Sequence, residues 1–203
     1  LVRAGRYDDV ELVLGDRVLA VDLDGREATT ASGRRQSYDA LVFATGSTPF
    51  VPPVPGREFA NCFVYRTLDD LDAIRAAAAT ARTGVVIGGG LLGLEAANAL
   101  RLLELHVEVV ELAPRLMPLQ VDDGGGAVLR RRIEALGITV HTGVSTQCIE
   151  ADDEGRVHRR VFSDGASVDT DLGVGSAGIR PDVAVARASG LAYGERGGIE
   201  VDE

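Results

Sequence analysis

Residues 85–97 read Val85-Val86-Ile87-Gly88-Gly89-Gly90-Leu91-Leu92-Gly93-Leu94-Glu95-Ala96-Ala97, an apolar β-branched run followed by glycines and then by good helix formers. This order predicts a strand, a tight turn and a helix that begins near Leu91. Gly88 permits the turn, Gly90 lets a pyrophosphate approach the backbone, and Gly93 lets the helix pack on the strand. Because the N–H groups and positive dipole at a helix start attract phosphate, the pattern predicts a dinucleotide site.

An acidic residue at the end of the next predicted strand indicates which dinucleotide is bound. Glu111 follows the glycines by about twenty residues, where a carboxylate accepts hydrogen bonds from the adenosine ribose hydroxyls. A carboxylate there repels an additional 2′-phosphate, so NADH is favoured over NADPH. Arg115 is close enough in sequence to soften that preference, and a surface role is its alternative. A glycine turn without ligand and a Glu111 that is only a strand-end charge are the structural alternatives.

The residues around this motif extend it into a larger α/β unit. Thr67-Leu68-Asp69-Asp70 predicts a capping box at a helix start. The helix predicted at 91–103 is apolar nearly all round, so we expect it to be covered on more than one side. Another helix is predicted at 127–136. Three alternating segments then predict an antiparallel meander: 146–150, 157–162 and 167–174.

A second strand and glycine turn lie nearer the start of the chain. Tyr38-Asp39-Ala40-Leu41-Val42-Phe43-Ala44-Thr45-Gly46 predicts a buried strand, and the prolines that follow forbid a helix. The meander that ends there is similar to the one that ends at Ala177-Gly178, so we expect two related dinucleotide-binding domains, with chance similarity as the alternative. Thr45-Gly46 and Ala177-Gly178 either let a cofactor approach or are only tight turns.

Composition and charge narrow the class of partner. The net charge of −10 argues against nucleic acid and against an anionic membrane. No apolar run is long enough for a membrane span, and residues 1–6 lack the order of a signal peptide and an initiating Met. We therefore expect a cytoplasmic protein whose sequence opens as a fragment would.

No residue cluster with its own reactive chemistry stands out in the sequence. Cys62 and Cys148 have no CxxC spacing and the three histidines lie apart, so we expect reduced cysteines and assign no metal. No Ser-His-Asp, Cys-His or paired-carboxylate arrangement is evident. This favours a protein whose reactive centre is a cofactor.

Taken together, these residues resemble the pyridine nucleotide-disulfide reductase superfamily of two-dinucleotide flavoproteins. Residues 38–49 are similar to the family's strand that passes the FAD, and Gly88 to Glu95 is similar to its NAD loop. Within the superfamily, three stretches most resemble the large subunits of bacterial assimilatory NADH nitrite reductases: 85–97, 111–117 and 129–134.

The resemblance implies a fold and a division into domains. We expect an α/β chain in which a Rossmann-like NAD-binding domain, residues 57–178, has a parallel sheet and an antiparallel meander. This domain is inserted in a partial FAD-binding domain of the same type. Residues 1–56 form the C-terminal part of its first segment, and residues 179–203 begin the truncated return to it.

The resemblance also implies the site residues and the cofactors, NADH and FAD. In relatives Glu95 faces the nicotinamide, so it is the predicted catalytic residue; a helix-dipole partner is the alternative. The predicted cofactor-binding residues lie at the two glycine turns and on neighbouring strand ends: Gly88, Gly89, Gly90, Leu91, Leu92, Gly93, Glu111, Ala44, Thr45, Gly46, Arg66, Ala177 and Gly178. NADH would pass a hydride to the flavin, which serves an electron-acceptor domain or protein, with nitrite reduction as the expected outcome.

Several departures leave alternatives open. The family's first FAD glycine loop would lie before Leu1 and its late Gly-Asp flavin motif beyond Glu203, so only part of the FAD site is expected. Iron–sulfur and sirohaem centres are expected only if flanking regions exist. Gly173 and Gly175 replace apolar residues, which weakens that predicted strand. Ferredoxin or rubredoxin reductases, NADH oxidases and a non-catalytic NAD-binding module are the rival functions. A homodimer stays open.

Overall fold

The computed structural model describes residues 10–195 and 197–201, so the opening residues 1–6 lie outside the description. The chain divides into two compact units, one formed by residues 1–47 and 181–203 and the other by residues 48–180. These divisions fall after Ser47 and Arg180, whereas the predicted domain boundaries are after residues 56 and 178. The assignment of FAD and NAD to the two domains stays a prediction.

The helices and strands of the described residues follow one another along the chain with short connections. In chain order they are β1 (Val18–Asp22), β2 (Glu27–Thr30), β3 (Arg35–Ser37), β4 (Ser47–Pro49), β5 (Cys62–Val64), α1 (Leu68–Ala78), β6 (Thr83–Ile87), α2 (Leu91–Leu102), β7 (His106–Glu111), α3 (Asp123–Glu134), β8 (Thr139–Thr142), β9 (Thr146–Ala151), β10 (Val157–Phe162), β11 (Ser167–Asp169), β12 (Leu172–Gly175), β13 (Ile179–Pro181) and α4 (Ala184–Ala188).

A five-stranded parallel sheet forms the centre of the unit 48–180. Its strand order is β5-β12-β6-β7-β8, and each neighbouring pair is parallel. Helices α1, α2 and α3 cover one face, where Val86 and Val109 pack against residues such as Ile74 and Ala97. The predicted strand-helix-strand unit around the glycines is therefore confirmed, with helical crossovers between parallel strands.

The other face of the parallel sheet is covered by the antiparallel meander β9-β10-β11. Phe162 of β10 is fully buried there and packs with Val85 and Val110. Because Val85 and Val86 point to opposite faces and both are covered, β6 needs a continuous apolar sequence rather than an alternating one.

Local signals explain where α1 and α3 begin. Thr67 caps α1 as predicted: its hydroxyl accepts the Asp70 N–H at 3.1 Å, and the Asp70 carboxylate accepts the Thr67 N–H at 2.7 Å. The predicted start of α3 at residue 127 is wrong, because Asp122 caps the helix by accepting the Gly125 N–H at 2.8 Å. The cap allows three glycines to form the first turns despite their low helix propensity.

The expectation that α2 is covered on more than one side is wrong for the described residues. Its buried residues lie on one face and include the small side chains Ala96 and Ala97, whereas Leu91 is 68% exposed and Leu102 is also exposed. Small residues on the buried face let the helix lie close to β6 and β7. None of the described helices has both the length and the apolar character that crossing a membrane requires.

The unit formed by residues 1–47 and 181–203 contains the antiparallel meander β1-β2-β3, and α4 packs on β1. The buried strand predicted at 38–46 is wrong: the segment has no strand assignment before β4, and Val42 is 84% exposed. An extended segment becomes a strand only where another backbone supplies hydrogen-bond partners, and no described strand lies beside this one.

The chain passes between the two units through β4 and β13, which pair as a two-stranded sheet. The two turns before these strands make matching hydrogen bonds. The Gly46 carbonyl accepts the Asp182 N–H at 3.0 Å, and the Gly178 carbonyl accepts the Phe50 N–H at 2.8 Å. Gly46 and Gly178 both have positive φ, +71° and +117°, so each turn contains a glycine where a side-chain-bearing residue would be strained.

The segment predicted as one strand at 167–174 is divided between two sheets. β11 closes the meander, while β12 lies between β5 and β6 in the parallel sheet. Asp171 lies between the two strands. Its carboxylate accepts the backbone N–H groups of Arg82 and Thr83 at 2.7 and 2.9 Å, which fixes the start of β12 beside the start of β6. Gly173 lies in the central strand β12, and the Arg160 side chain occupies the space where its Cβ would lie.

Arg160 is a buried cation, only 4% exposed, on the meander face of the sheet. Among the described residues its one hydrogen-bond partner is the Cys62 sulfur, at 3.7 Å from Nη2, and its Nε has none. Burial lowers the pKa of Arg160 and raises the pKa of the Cys62 thiol, although each group opposes the shift of the other. The Arg160 side chain therefore fills the space beside Gly173. No carboxylate among the described residues pairs with its buried charge.

Gly173→Ala should lower the free energy of unfolding by about 1–3 kcal/mol, because the added methyl group overlaps a buried guanidinium. Gly175→Ala is the matched control, since its nearest neighbour would be the Phe63 carbonyl oxygen at 3.5 Å, an ordinary contact. Arg160→Leu removes the guanidinium and should restore most of the stability of the Gly173→Ala variant. Urea unfolding measures all three, and equal losses for the two glycine variants would contradict this account of the packing.

Candidate dinucleotide site

The carboxyl ends of β6, β7 and β12 meet at one edge of the parallel sheet. There the Gly88 N–H donates to the Val110 carbonyl at 2.8 Å, and the Ser176 N–H donates to the Ile87 carbonyl at 2.7 Å. Open α/β sheets bind their ligands at this edge, where loops from neighbouring strands converge. The glycine turn is thus fixed to both of its neighbouring strands.

The first and last glycines of the motif allow close contacts between backbone segments. A Cβ on Gly93 would overlap the Gly88 carbonyl oxygen, and a Cβ on Gly88 would overlap the Ser176 carbonyl oxygen. Gly88 also has a φ of +114°, which side-chain-bearing residues rarely adopt. These contacts bring the start of α2 against the end of β6, as the spacing of the motif predicts.

The middle glycine lies beside open space. Gly90 is the N-cap of α2 with a φ of −80°, no side chain caps the helix, and a Cβ there would meet no atom within 4 Å. The first N–H groups of a helix have no partners within the helix, so they are available to an external acceptor. A pyrophosphate fits this place because it supplies both the acceptor atoms and the negative charge.

Glu111 lies directly beside the glycine turn and is half-buried. Its Oε2 accepts the Gly89 N–H at 2.7 Å, and its Oε1 accepts the Ala113 N–H at 2.7 Å. Each carboxylate oxygen keeps a lone pair for another donor, so the group can still accept ribose hydroxyls. Both hydrogen bonds fix its position before any ligand binds.

A loop after Glu111 completes the wall of the site, and sequence reasoning did not assign it. The Met117 N–H donates to the Gly89 carbonyl at 2.9 Å, while the fully buried Leu116 packs into the space left by the absent Cβ of Gly89. The local signal for this loop was the acid-to-proline stretch 111–118. Only the folded chain shows that it contacts the glycines.

The remaining predicted residues of this unit have different surroundings. Leu91, Leu92 and Glu95 are exposed on the first turns of α2. Arg66 is exposed just beyond β5, at the same edge of the sheet, and its N–H donates to the Asp70 carboxylate at 3.1 Å.

The second pair of predicted turns is divided between the two units. Ala177 and Gly178 follow β12 and directly succeed Ser176, so they adjoin the glycine turn; Ser176 itself was not predicted as a site residue. Ala44, Thr45 and Gly46 belong to the other unit, where the Thr45 hydroxyl donates to the Asp182 carbonyl.

Across residues 10–195 and 197–201, no group of three or more His, Cys, Asp or Glu side chains lies close enough together to hold a metal ion. Both cysteines are free.

Comparison with known proteins gives consistent results. The family model described as pyridine nucleotide-disulphide oxidoreductase matches residues 4–203. The large subunit of nitrite reductase [NAD(P)H] from Klebsiella oxytoca is 56% identical over 95% of this chain, and the nitrite reductase (NADH) large subunit from Escherichia coli is 42% identical over 100% of it. The matches span only 20% and 24% of those two proteins.

A solved structure supports the same fold. The crystal structure of a ferredoxin reductase from Rhodopseudomonas palustris superposes with a TM-score of 0.87 and 37% sequence identity, covering 91% of this chain and 45% of that one.

Gly90→Ala should separate binding from folding at this site. Because a Cβ at Gly90 meets open space, the free energy of unfolding should fall by less than about 1 kcal/mol. The methyl group would occupy the place of the pyrophosphate, so calorimetric titration should show affinity for ADP-ribose reduced roughly tenfold or more.

Gly93→Ala is the contrasting variant for stability. Its Cβ would overlap the backbone of Gly88, so this change should lower the free energy of unfolding far more than Gly90→Ala does. If the Gly90→Ala variant binds ADP-ribose as tightly as the wild type, the pyrophosphate does not bind beside Gly90.

Proposed function

Because the chain belongs to the pyridine nucleotide-disulphide oxidoreductase family, we propose that it is the NADH-binding part of a flavoprotein oxidoreductase that supplies electrons to a downstream acceptor. The observation that carries the proposal is the uncapped start of α2 beside open space at Gly90. The fixed carboxylate of Glu111 next to it suits a dinucleotide with free ribose hydroxyls.

The protein's contribution to the reaction is binding and orientation. When bound, NADH supplies a hydride and FAD accepts it. Gly88, Gly90 and Gly93 shape the turn that seats the phosphates, with Gly89, Leu91 and Leu92 beside them. Glu111 holds the adenosine ribose. Glu95, exposed on the second turn of α2, is the proposed catalytic residue, because it would position the nicotinamide ring.

The proposed flavin contacts come from the two related turns. Gly46 and Gly178 have positive φ, and a Cβ on either would meet no atom within 4 Å, so each turn leaves room for a ligand group. Ala44, Thr45 and Ala177 are the small residues that precede them. Arg66, at the carboxyl edge of the sheet, is a further proposed cofactor contact.

The proposed electron acceptor is the part of a nitrite reductase that reduces nitrite. The resemblance to nitrite reductase large subunits supports this acceptor, but the chain spans only about a quarter of those relatives or less. Iron–sulfur and sirohaem centres would belong to other segments. A ferredoxin reductase is a second candidate function, favoured by the structural similarity to the protein from Rhodopseudomonas palustris. A cytoplasmic location and a homodimer stay predictions.

NADH added anaerobically to the flavin-loaded protein should bleach the visible flavin absorbance. Bleaching requires that the bound dinucleotide reach the flavin, so it tests electron transfer and not binding alone. NADH that binds without bleaching a stoichiometric flavin would overturn the reductase proposal. NADH that binds where no flavin is retained would favour a nucleotide-binding module without turnover.

Glu95→Gln should slow flavin reduction by NADH roughly tenfold, equivalent to about 1.4 kcal/mol in the barrier, while leaving the affinity for ADP-ribose unchanged. The separation is expected because Glu95 would act on the nicotinamide half of the dinucleotide only. Stopped-flow absorbance measures the rate. Glu104→Gln is the control, since Glu104 is an exposed carboxylate beyond the other end of α2. Equal rates in Glu95→Gln and the wild type would remove Glu95 from the site.

A further inference from the structure

Arg115 is four residues beyond Glu111, and the sequence leaves open whether it contacts a 2′-phosphate or belongs to the surface. In the structure all three of its guanidinium nitrogens make hydrogen bonds. Nε donates to the Val121 carbonyl at 2.9 Å, Nη2 to the Pro118 carbonyl at 3.2 Å, and Nη1 to Asp123 Oδ1 at 2.7 Å. These bonds hold the side chain against the protein, and 30% of it is exposed to solvent.

Helix α3 provides a surface for the same side chain. Gly126 is buried in the first turns of this helix, and a Cβ there would lie 3.0 Å from both Cβ and Cδ of Arg115. The missing side chain therefore gives the arginine stem room to cross the helix. This contact explains why a glycine is suited to position 126 despite its cost within a helix.

The bond to Asp123 differs from the other two because it joins opposite charges. The Asp123 carboxylate is 91% exposed, so the pair contributes at most about fivefold in an equilibrium constant, which is about 1 kcal/mol. The planar guanidinium is also the side chain best suited to a phosphate. While Asp123 holds it, its charge is balanced and three of its five N–H donors are in use. The fixed carboxylate of Glu111 then repels a 2′-phosphate without a competing cation on the same loop.

We propose that Asp123 determines the preference of this site for a dinucleotide without a 2′-phosphate, by holding Arg115 against the start of α3. The inference rests on the proposed function, since it concerns the dinucleotide bound at Gly90. Asp123 does not touch the ligand; it acts through Arg115.

A double-mutant cycle tests the inference, with ADP-ribose and 2′-phospho-ADP-ribose titrated calorimetrically into the 203-residue chain. The wild type should bind ADP-ribose more tightly. Asp123→Ala should reduce this discrimination by up to roughly fivefold, because the guanidinium, then bonded only to the Val121 and Pro118 carbonyls, has an unbalanced charge and unpaired N–H groups for the added phosphate. In the variant that combines Arg115→Ala with Asp123→Ala, discrimination should return to within about twofold of the wild type.

The Arg115→Ala single variant separates two explanations of any effect at Asp123. If the two charges acted only through additive electrostatics, Arg115→Ala alone would raise discrimination by about the factor that Asp123→Ala lowers it, and the inference would be overturned. If Asp123 acts by holding Arg115, Arg115→Ala alone should leave discrimination within about twofold of the wild type. Unchanged discrimination in Asp123→Ala overturns it as well. The Asp123 side chain is 91% exposed, so the variant should melt like the wild type.

Two further observations complete the test. Glu134→Ala, at the other end of α3, removes a carboxylate paired with Arg130 and should leave discrimination unchanged. If the wild type binds neither compound, the proposed function itself fails and this inference with it. If the wild type binds ADP-ribose but the variants do not change discrimination as expected, the inference about Asp123 is overturned and the proposed function is not.

Discussion

The structure of the unit 48–180 depends on one close contact, between the Gly88 carbonyl and the Cα of Gly93. No side chain fits there, so α2 starts directly against the end of β6. Gly88 in turn lies against the Ser176 carbonyl, which ties the same turn to β12. Backbone atoms from two strands and one helix therefore determine the position of the first N–H groups of α2, and those groups are the electrostatic centre of the candidate site.

Glu111 connects this turn to the loop that follows β7. Its carboxylate accepts N–H groups from Gly89 on one side and Ala113 on the other, and hydrogen bonds to a charged group are each worth about 1.5–3 kcal/mol. The residue that would hold the ribose thus also stabilises the unliganded loop. A binding residue fixed in this way loses little conformational entropy when the ligand arrives.

Much of this arrangement could be predicted from short stretches of sequence, because its signals are local. The strand, turn and helix at 85–102 and the Thr67 capping box depend on residues within a few positions of one another. The failures depend on distant neighbours. The glycine at position 173 is explained by its contact with Arg160, which lies on another sheet. Residues 38–46 do not form a strand because no described strand lies beside them. The contacts of Arg115 could not be predicted from the sequence, because they depend on the position of α3 in the folded chain.

The pairing of β4 with β13 has a consequence for the order of events during synthesis of the chain. Arg17 and Asp182 form an ion pair at 3.1 Å although 165 positions separate them. Closing so long a loop carries an entropic cost that grows with its length. Once the unit 48–180 has folded, its two ends lie side by side, and the loop that remains to be closed shrinks to the roughly 30 residues between Arg17 and that unit. A ribosome that releases this unit already folded lowers the entropic cost of the remaining closure by about 1.4 kcal/mol.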